Sequence, residues 1–303
     1  MKRKRALILI NNTAGLAQGH DDTFDIVSSF AKDGYESLVF PIIPGSALTS
    51  ETLIAEYGAD VDVVMCVGGD GTLNHVTSSL MQMDIANRPP VAYVPSGSTN
   101  DFARCIGIPD TRKKAIRIAV KGKPYSFDIG RMNDRYFNYV AAFGAFSQIS
   151  YDTDQSLKNV LGYAAYVINA IMKLPRNIGY GVNMRIKADE RSYRGKFVFG
   201  AVCNSVSVGG MKLFDSANVR LDDGVMELLL IRSPKTLSDF NSILTALATG
   251  TLDHTNILLR QVHSASFISE DVVSWTLDGE YGGESRETYI DVMPQAMTIR
   301  RQQ

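Results

Sequence analysis

A buried strand that runs into a glycine-rich loop and then a helix constrains this chain most. Residues 61–67 are apolar but for Asp62, the near-continuous hydrophobicity of a parallel strand covered on both faces. Val67-Gly68-Gly69-Asp70-Gly71-Thr72-Leu73-Asn74 follows, and Leu73, Val76, Leu80 and Met83 then fall near helical spacing. The same alternation extends to about residue 125, with strands predicted at 6–10, 36–40 and 91–94 and helices at 24–32, 49–57, 73–83 and 111–120. Repeated strand–helix units of this kind specify a doubly wound α/β domain.

Beyond that point the pattern changes. Strands are predicted at 136–143, 182–187, 196–203, 225–231, 257–262, 273–277 and 288–292, with helices at 156–174 and 236–249. Asp222-Asp223-Gly224 and Asp278-Gly279-Glu280 are turn signals between strands. The expectation is an antiparallel sandwich or open barrel. The join falls near Lys121-Gly122-Lys123-Pro124, giving domains at 1–124 and 125–303.

Charge and cysteine content narrow the function classes. Thirty-one basic residues against 32 acidic leave a net charge of −1, which argues against nucleic-acid binding through bulk charge. Cys66, Cys105 and Cys203 are too far apart in sequence for a disulfide framework or zinc ribbon, a pattern that fits a reducing cytosol. The basic start at 2–5 precedes only five apolar residues, too few for a secretory signal. Residues 157–174 are interrupted by Lys158, Asn159, Asn169 and Lys173, so no transmembrane segment is expected and the protein reads as cytoplasmic.

The glycine loop lies where parallel sheets bind ligands, at the carboxyl ends of their strands. Glycines let main chain approach an anion, and the following helix offers free N–H groups. No Gly-Lys-Ser/Thr follows, and Asn74 stands where a dinucleotide fingerprint has its last glycine. Asp70 among phosphates calls for a divalent cation or a substrate hydroxyl, so Mg²⁺–nucleotide is expected; a tight turn with a surface Asp is the plainer alternative. A second loop, Pro95-Ser96-Gly97-Ser98-Thr99-Asn100-Asp101-Phe102-Ala103-Arg104, follows the next strand and would face the first. Its plain alternative is a loop with an Asn/Asp helix cap.

Together these loops resemble the diacylglycerol kinase catalytic family, in particular its bacterial soluble lipid kinases. Asp128-Ile129-Gly130, Leu221-Asp222-Asp223-Gly224 and Asp278-Gly279-Glu280-Tyr281 resemble the family's later blocks in the same order, so the likeness spans nearly the whole chain. The resemblance implies a nucleotide domain at 1–124 and a β-rich lipid-binding domain at 125–303, with the last strand, near 296–300, returning to the first domain. It implies that ATP is held by Gly68, Gly69, Asp70, Gly71, Thr72, Leu73, Asn74, His75 and Ser98, with Asn11 to Gly15 contributing. Asp278 and Glu280 resemble the pair in which a carboxylate serves as base toward the lipid hydroxyl. Asp70, Asp101 and Asp128 match its acidic network around a catalytic metal. Asp223, with the carbonyls of Arg220 and Val225, matches its structural magnesium site. For each Asp-Gly pair an ordinary hairpin is the bland alternative.

Three positions depart from the family pattern: His75 where Glu is common, Asn12 where Pro is common, and Pro41–Ile42 near a common Thr. They bear on nucleotide affinity and on ATP against GTP. Arg112, Lys113, Lys114, Arg117, Lys121 and Lys123 form a basic stretch that either meets anionic headgroups or is a solvated helix face. The implied activity is an ATP- and Mg²⁺-dependent lipid kinase acting on diacylglycerol or a related glycerolipid. Its partner is a lipid substrate at a membrane surface, approached from the cytoplasm or from a peripheral position, and a homodimer stays open. The rivals are a soluble-substrate kinase resembling NAD kinase and a nucleotide-binding pseudokinase.

Overall fold

The structure is a computed structural model that describes residues 3–11, 19–97, 100–144, 181–205, 220–249 and 255–302. The helix expected at 156–174 lies outside the described residues. The chain divides into two units, Met1–Phe127 with Gln295–Gln303, and Asp128–Pro294.

The first unit alternates β1 (Lys4–Asn11), α1 (Gly19–Lys32), β2 (Tyr35–Ile42), α2 (Ser50–Tyr57), β3 (Val63–Gly68), α3 (Asp70–Leu80), β4 (Val91–Pro95), α4 (Asp101–Cys105) and α5 (Arg112–Lys121). β2, β1, β3 and β4 lie side by side in that order, all parallel. The last strand, β13 (Glu280–Arg301), ends in this unit, where Ile299 pairs in parallel with Val91. Every residue of β3 and β4 is buried, which is why their sequence shows no alternation. α2 begins with a reciprocal cap between Thr49 and Thr52. α5 buries Ala115, Ile116, Ala119 and Val120 and leaves Lys113, Lys114 and Arg117 exposed. Arg300 caps its far end, donating to the carbonyls of Ala119 and Val120 at 2.9 and 2.8 Å.

Two elements here lack a sequence signal. α4 is one turn long, too short for a helical period to show. β5 (Lys123–Met132) opens on Lys-Pro and carries the chain past the expected join at 124/125. α3 starts at Asp70, three residues before the expected helix, because the glycine loop itself forms its first turn.

In the second unit β6 (Arg135–Phe137), β7 (Val140–Gly144), β8 (Val182–Ala188), β9 (Arg191–Cys203), β10 (Met226–Arg232), β11 (Ile257–Val262) and β12 (Ser264–Leu277) pair antiparallel with their neighbours, and α6 (Leu237–Thr249) precedes β11. β9 pairs β8 through its first half and β7 through its second, and β12 does the same. Two long strands therefore each serve two partners along one edge, and the β12–β13 register breaks between Ile268 and Val273. The core between them gathers Phe143, Phe267 and Trp275, with ring centroids 5.0–5.8 Å apart. Such aromatic pairs contribute about 0.5–1.5 kcal/mol each beyond their buried area. Gly200, cross-strand from Phe143, makes the cluster possible: a Cβ there would lie 2.2 Å from the Phe143 ring.

The strand expected at 136–143 is two strands. The N–H groups of Asn138, Tyr139 and Val140 all donate to the Asp278 carboxylate, and the ladder is interrupted there. Conversely, the strands expected at 288–292 and near 296–300 are parts of the single β13.

Candidate functional site

In the first unit the strand order reverses between β1 and β3, since β2 lies outside β1 and β4 outside β3. Open α/β sheets bind ligands beyond the carboxyl ends of the strands at such a point. Asn11 ends β1, and its side-chain amide donates to Thr72 Oγ1 at 2.8 Å, so the end of β1 is tied to the first turn of α3. Thr72 folds back over Gly68, where a Cβ would lie 2.5 Å from the Thr72 Cβ. Gly69 is the N-cap of α3 and supplies no side-chain cap, so the first N–H groups of the helix are left without one. Asn74 is half-buried and His75 exposed on the same helix.

The second loop packs on the first as expected. Ser96 N–H donates to Gly68 O at 2.8 Å, and a Cβ on Gly97 would lie 2.6 Å from Gly69 Cα. Asn100, left-handed at φ 50°, closes the loop by accepting from Gly97 N–H and donating to Gly97 O. Ser98 and Gly15 lie outside the described residues.

Asp70 has partners that its neighbourhood in the sequence does not show. Its carboxylate accepts the N–H groups of Asp101 at 2.9 Å and Phe102 at 3.3 Å, clamping the first turn of α4 to the glycine loop. A carboxylate so engaged is held in place by main-chain donors. Asp101 is itself buried, and burial pushes its carboxyl above the ordinary range, with Arg104 partly opposing.

In the second unit the Asp278-Gly279 pair is the two-residue turn between β12 and β13, with Leu277 opposite Glu280. Both turn residues have positive φ, 49° and 86°, the geometry of a tight hairpin. Asp278 is 3% exposed and accepts four hydrogen bonds, from the N–H groups of Asn138, Tyr139 and Val140 and the Asn138 amide, at 2.7–3.1 Å. Glu280 is exposed two residues on. The turn has the hairpin geometry of the plain reading.

Asp128 is fully buried and clamps another turn: its N–H donates to Leu221 O and its carboxylate accepts Gly224 N–H, both at 2.7 Å. In that turn Asp223 is exposed, with Oδ1 accepting Val225 N–H at 3.3 Å, and Arg220 pairs with Asp222 at 3.2 Å. Among the described residues no three His, Cys, Asp or Glu side chains converge as a metal site. Glu227 is a residue that the sequence reading missed. It is 4% exposed, Gln261 donates to its Oε1 at 3.3 Å, and its buried Oε2 has no hydrogen-bond partner. Burial, aided by the charge of Asp223, pushes its carboxyl up to about 7. A charge inside the apolar run 226–231 was the available signal.

Residues 5–132 match the family described as "Diacylglycerol kinase catalytic domain", and residues 140–301 the one described as "YegS C-terminal NAD kinase beta sandwich-like domain". A Staphylococcus aureus (strain bovine RF122 / ET3-1) protein named diacylglycerol kinase is 32% identical over 295 residues, covering 96% of this chain and 90% of that one. The chain belongs to the diacylglycerol kinase family. It is an enzyme of that family, a phosphotransferase with an alcohol group as acceptor. Two Bacillus anthracis structures share its fold: one, described as a diacylglycerol kinase, at TM-score 0.75 and 20% identity, covering 99% of this chain and 98% of that one. The other is at TM-score 0.81 and 23% identity, covering 99% and 96%. The α/β unit and the β-sandwich-like unit are the architecture of this family. No helix among the described residues is long and apolar enough to cross a membrane.

Proposed function

We propose that this chain is an ATP- and Mg²⁺-dependent kinase that phosphorylates a hydroxyl of diacylglycerol or a related glycerolipid at a membrane surface. The observation that carries the reading is the side-chain-uncapped start of α3 in the first unit, built over Gly68 and Gly69 and braced by Gly97. Main-chain donors at a helix start, with no side chain in their way, suit polyphosphate oxygens. Asn11, Thr72 and Asn74 line the same turn, and Asp70 and Asp101 hold its second wall. The family relationship to proteins named diacylglycerol kinase supports the acceptor class.

Phosphoryl transfer asks the protein chiefly for positioning, charge neutralisation and one group that orients the nucleophile. Glu280 takes the last role: its carboxylate is exposed and on a rigid turn, where it can accept the proton of the lipid hydroxyl. Asp278 is a positioning residue, since both of its oxygens already accept N–H groups of residues 138–140. Magnesium, when bound, neutralises phosphate charge. Asp223, with the carbonyls of Arg220 and Val225, would hold a second, structural ion, and a carboxylate with main-chain oxygens in an exposed turn are hard donors that fit that group.

A radiolabelled ATP assay against diacylglycerol, phosphatidylglycerol, sphingosine and NAD tests the reading. Label transfer to diacylglycerol that depends on Mg²⁺ is expected. The second family description names an NAD kinase-like sandwich, and label on NAD in preference to every lipid would establish that soluble-substrate reading instead.

A further inference from the structure

The outward face of β8 and β9 carries charge that the proposed reaction leaves unused. Arg185 stands directly opposite Arg194 across the two strands, and Lys187 and Lys196 lie two residues further along each strand on the same face. All four are exposed, while the alternate residues Met184, Ile186 and Phe197 turn into the core. Among the described residues none of the four has an ion pair or a side-chain hydrogen bond. Like charges set opposite each other in a sheet are destabilising, so a face that gathers them is complementary to an anionic partner. The same rows also expose apolar groups. Ile268 of β12 lies opposite Arg185, and Tyr289 of β13 lies opposite Ser266, itself opposite Lys187. They are 37% and 49% exposed. The acids on the β13 side are already engaged, Glu287 by the Tyr289 hydroxyl at 3.1 Å and Asp291 by Arg131 at 2.9 Å. Glu270 and Asp271 follow the last β8–β12 pair, at Ser269.

We propose that this face of the second unit docks the protein on a membrane, its four cations meeting anionic phospholipid headgroups and Ile268 and Tyr289 reaching the apolar layer beneath. This rests on the reading of the substrate as a membrane lipid. Lys and Arg keep their charge among headgroups while their stems lie along apolar surface, and Tyr suits the same boundary. A soluble polyanion would use the cations alone and give Ile268 no role. α5 also exposes Lys113, Lys114 and Arg117, but its apolar residues are turned inward.

The test is sedimentation of the full chain with phosphatidylglycerol and with phosphatidylcholine vesicles. It is paired with turnover on diacylglycerol in those vesicles and on a short-chain, water-soluble diacylglycerol. The variants are Arg185→Gln with Arg194→Gln, Ile268→Ser alone, and a control carrying Lys113→Gln, Lys114→Gln and Arg117→Gln. The parent should bind phosphatidylglycerol vesicles, more weakly as salt rises, and prefer them to phosphatidylcholine by about tenfold or more. The arginine pair variant should lose about tenfold or more of that affinity, yet melt at or above the parent because a like-charged pair has gone. Its turnover should fall on vesicles and stay parental on the soluble substrate, a split that a folding defect would not give. Ile268→Ser should lose a smaller share of the affinity. Parental vesicle affinity in the arginine pair variant overturns the proposal, as does a parent that binds neither vesicle. A loss confined to the α5 control also overturns it and moves docking to that helix. So does a changed oligomeric state of the arginine pair variant with vesicle binding intact, which gives the face to a second copy. Should the parent phosphorylate NAD and no lipid while binding vesicles through these arginines, the substrate reading fails and the docking face stands.

Discussion

Asp70 and Asp278 do the same job in different units, and the sites they support are of different kinds. Each is a buried carboxylate whose two oxygens accept main-chain N–H groups from another segment: residues 101 and 102 for Asp70, 138–140 for Asp278. In the first unit the clamp leaves a helix start whose working groups are backbone. In the second it stiffens a hairpin whose proposed working group is a side chain, Glu280. A backbone site should be damaged by any side chain that fills its space. A side-chain site should tolerate added bulk and fail when one functional group changes.

The largest effect should come from the clamp itself. Asp278→Asn replaces one acceptor oxygen by an amide facing N–H donors, and each buried donor left unsatisfied costs about 1–3 kcal/mol. Urea unfolding should show a loss of several kcal/mol; a parental midpoint would remove Asp278 from the positioning role. Glu280→Gln should do the reverse, lowering turnover by about 10²–10⁴-fold. Its stability should stay within about 0.5 kcal/mol of the parent, as for an exposed site. Parental turnover in that variant would end the assignment of Glu280 as base.

Matched glycine changes sharpen the contrast. Gly97→Ala pushes a methyl to 2.6 Å from Gly69 Cα, so overpacking of about 1–3 kcal/mol and a marked loss of nucleotide affinity are expected. Gly279→Ala meets no atom within 4 Å and pays only for its positive φ, about 1–2 kcal/mol, with nucleotide affinity unchanged. Equal nucleotide binding in both variants would break the comparison.

The smallest effect is a pH dependence. Burial raises the Asp101 carboxyl, so its ionisation opposes folding. Its share of stability is fully present below the ordinary carboxylate range and is lost as pH rises through the folded value. Asp101→Asn should flatten that limb of the melting temperature against pH, and an identical slope in both proteins would show that Asp101 does not titrate there.

Legibility in the sequence followed distance along the chain. β3 and β4 could be read because burial on both faces writes an unbroken apolar run, and the β12–β13 turn because Asp-Gly is a local signal. The second loop could be placed against the first because both follow adjacent parallel strands. The main-chain partners of Asp70 and Asp278 could not be read, because they lie 31 and about 140 residues away. β12 was seen only at its end, since exposed Glu270 and Asp271 interrupt it where its register breaks.

The contact between Gly69 and Gly97 has a consequence at the level of the gene. Every single-base change of a glycine codon that alters the residue introduces a Cβ, and at both positions the Cβ meets the other loop's backbone, at 3.1 Å from Gly97 Cα and 2.6 Å from Gly69 Cα. A one-step missense change at Gly97 forces a clash and one at Gly69 a tight contact, and a second mutation in the opposite loop cannot make room by shrinking a residue that is already glycine. The lineage can therefore explore this part of the protein only by moving whole loops, and both codons should stay glycine while the loops keep this contact.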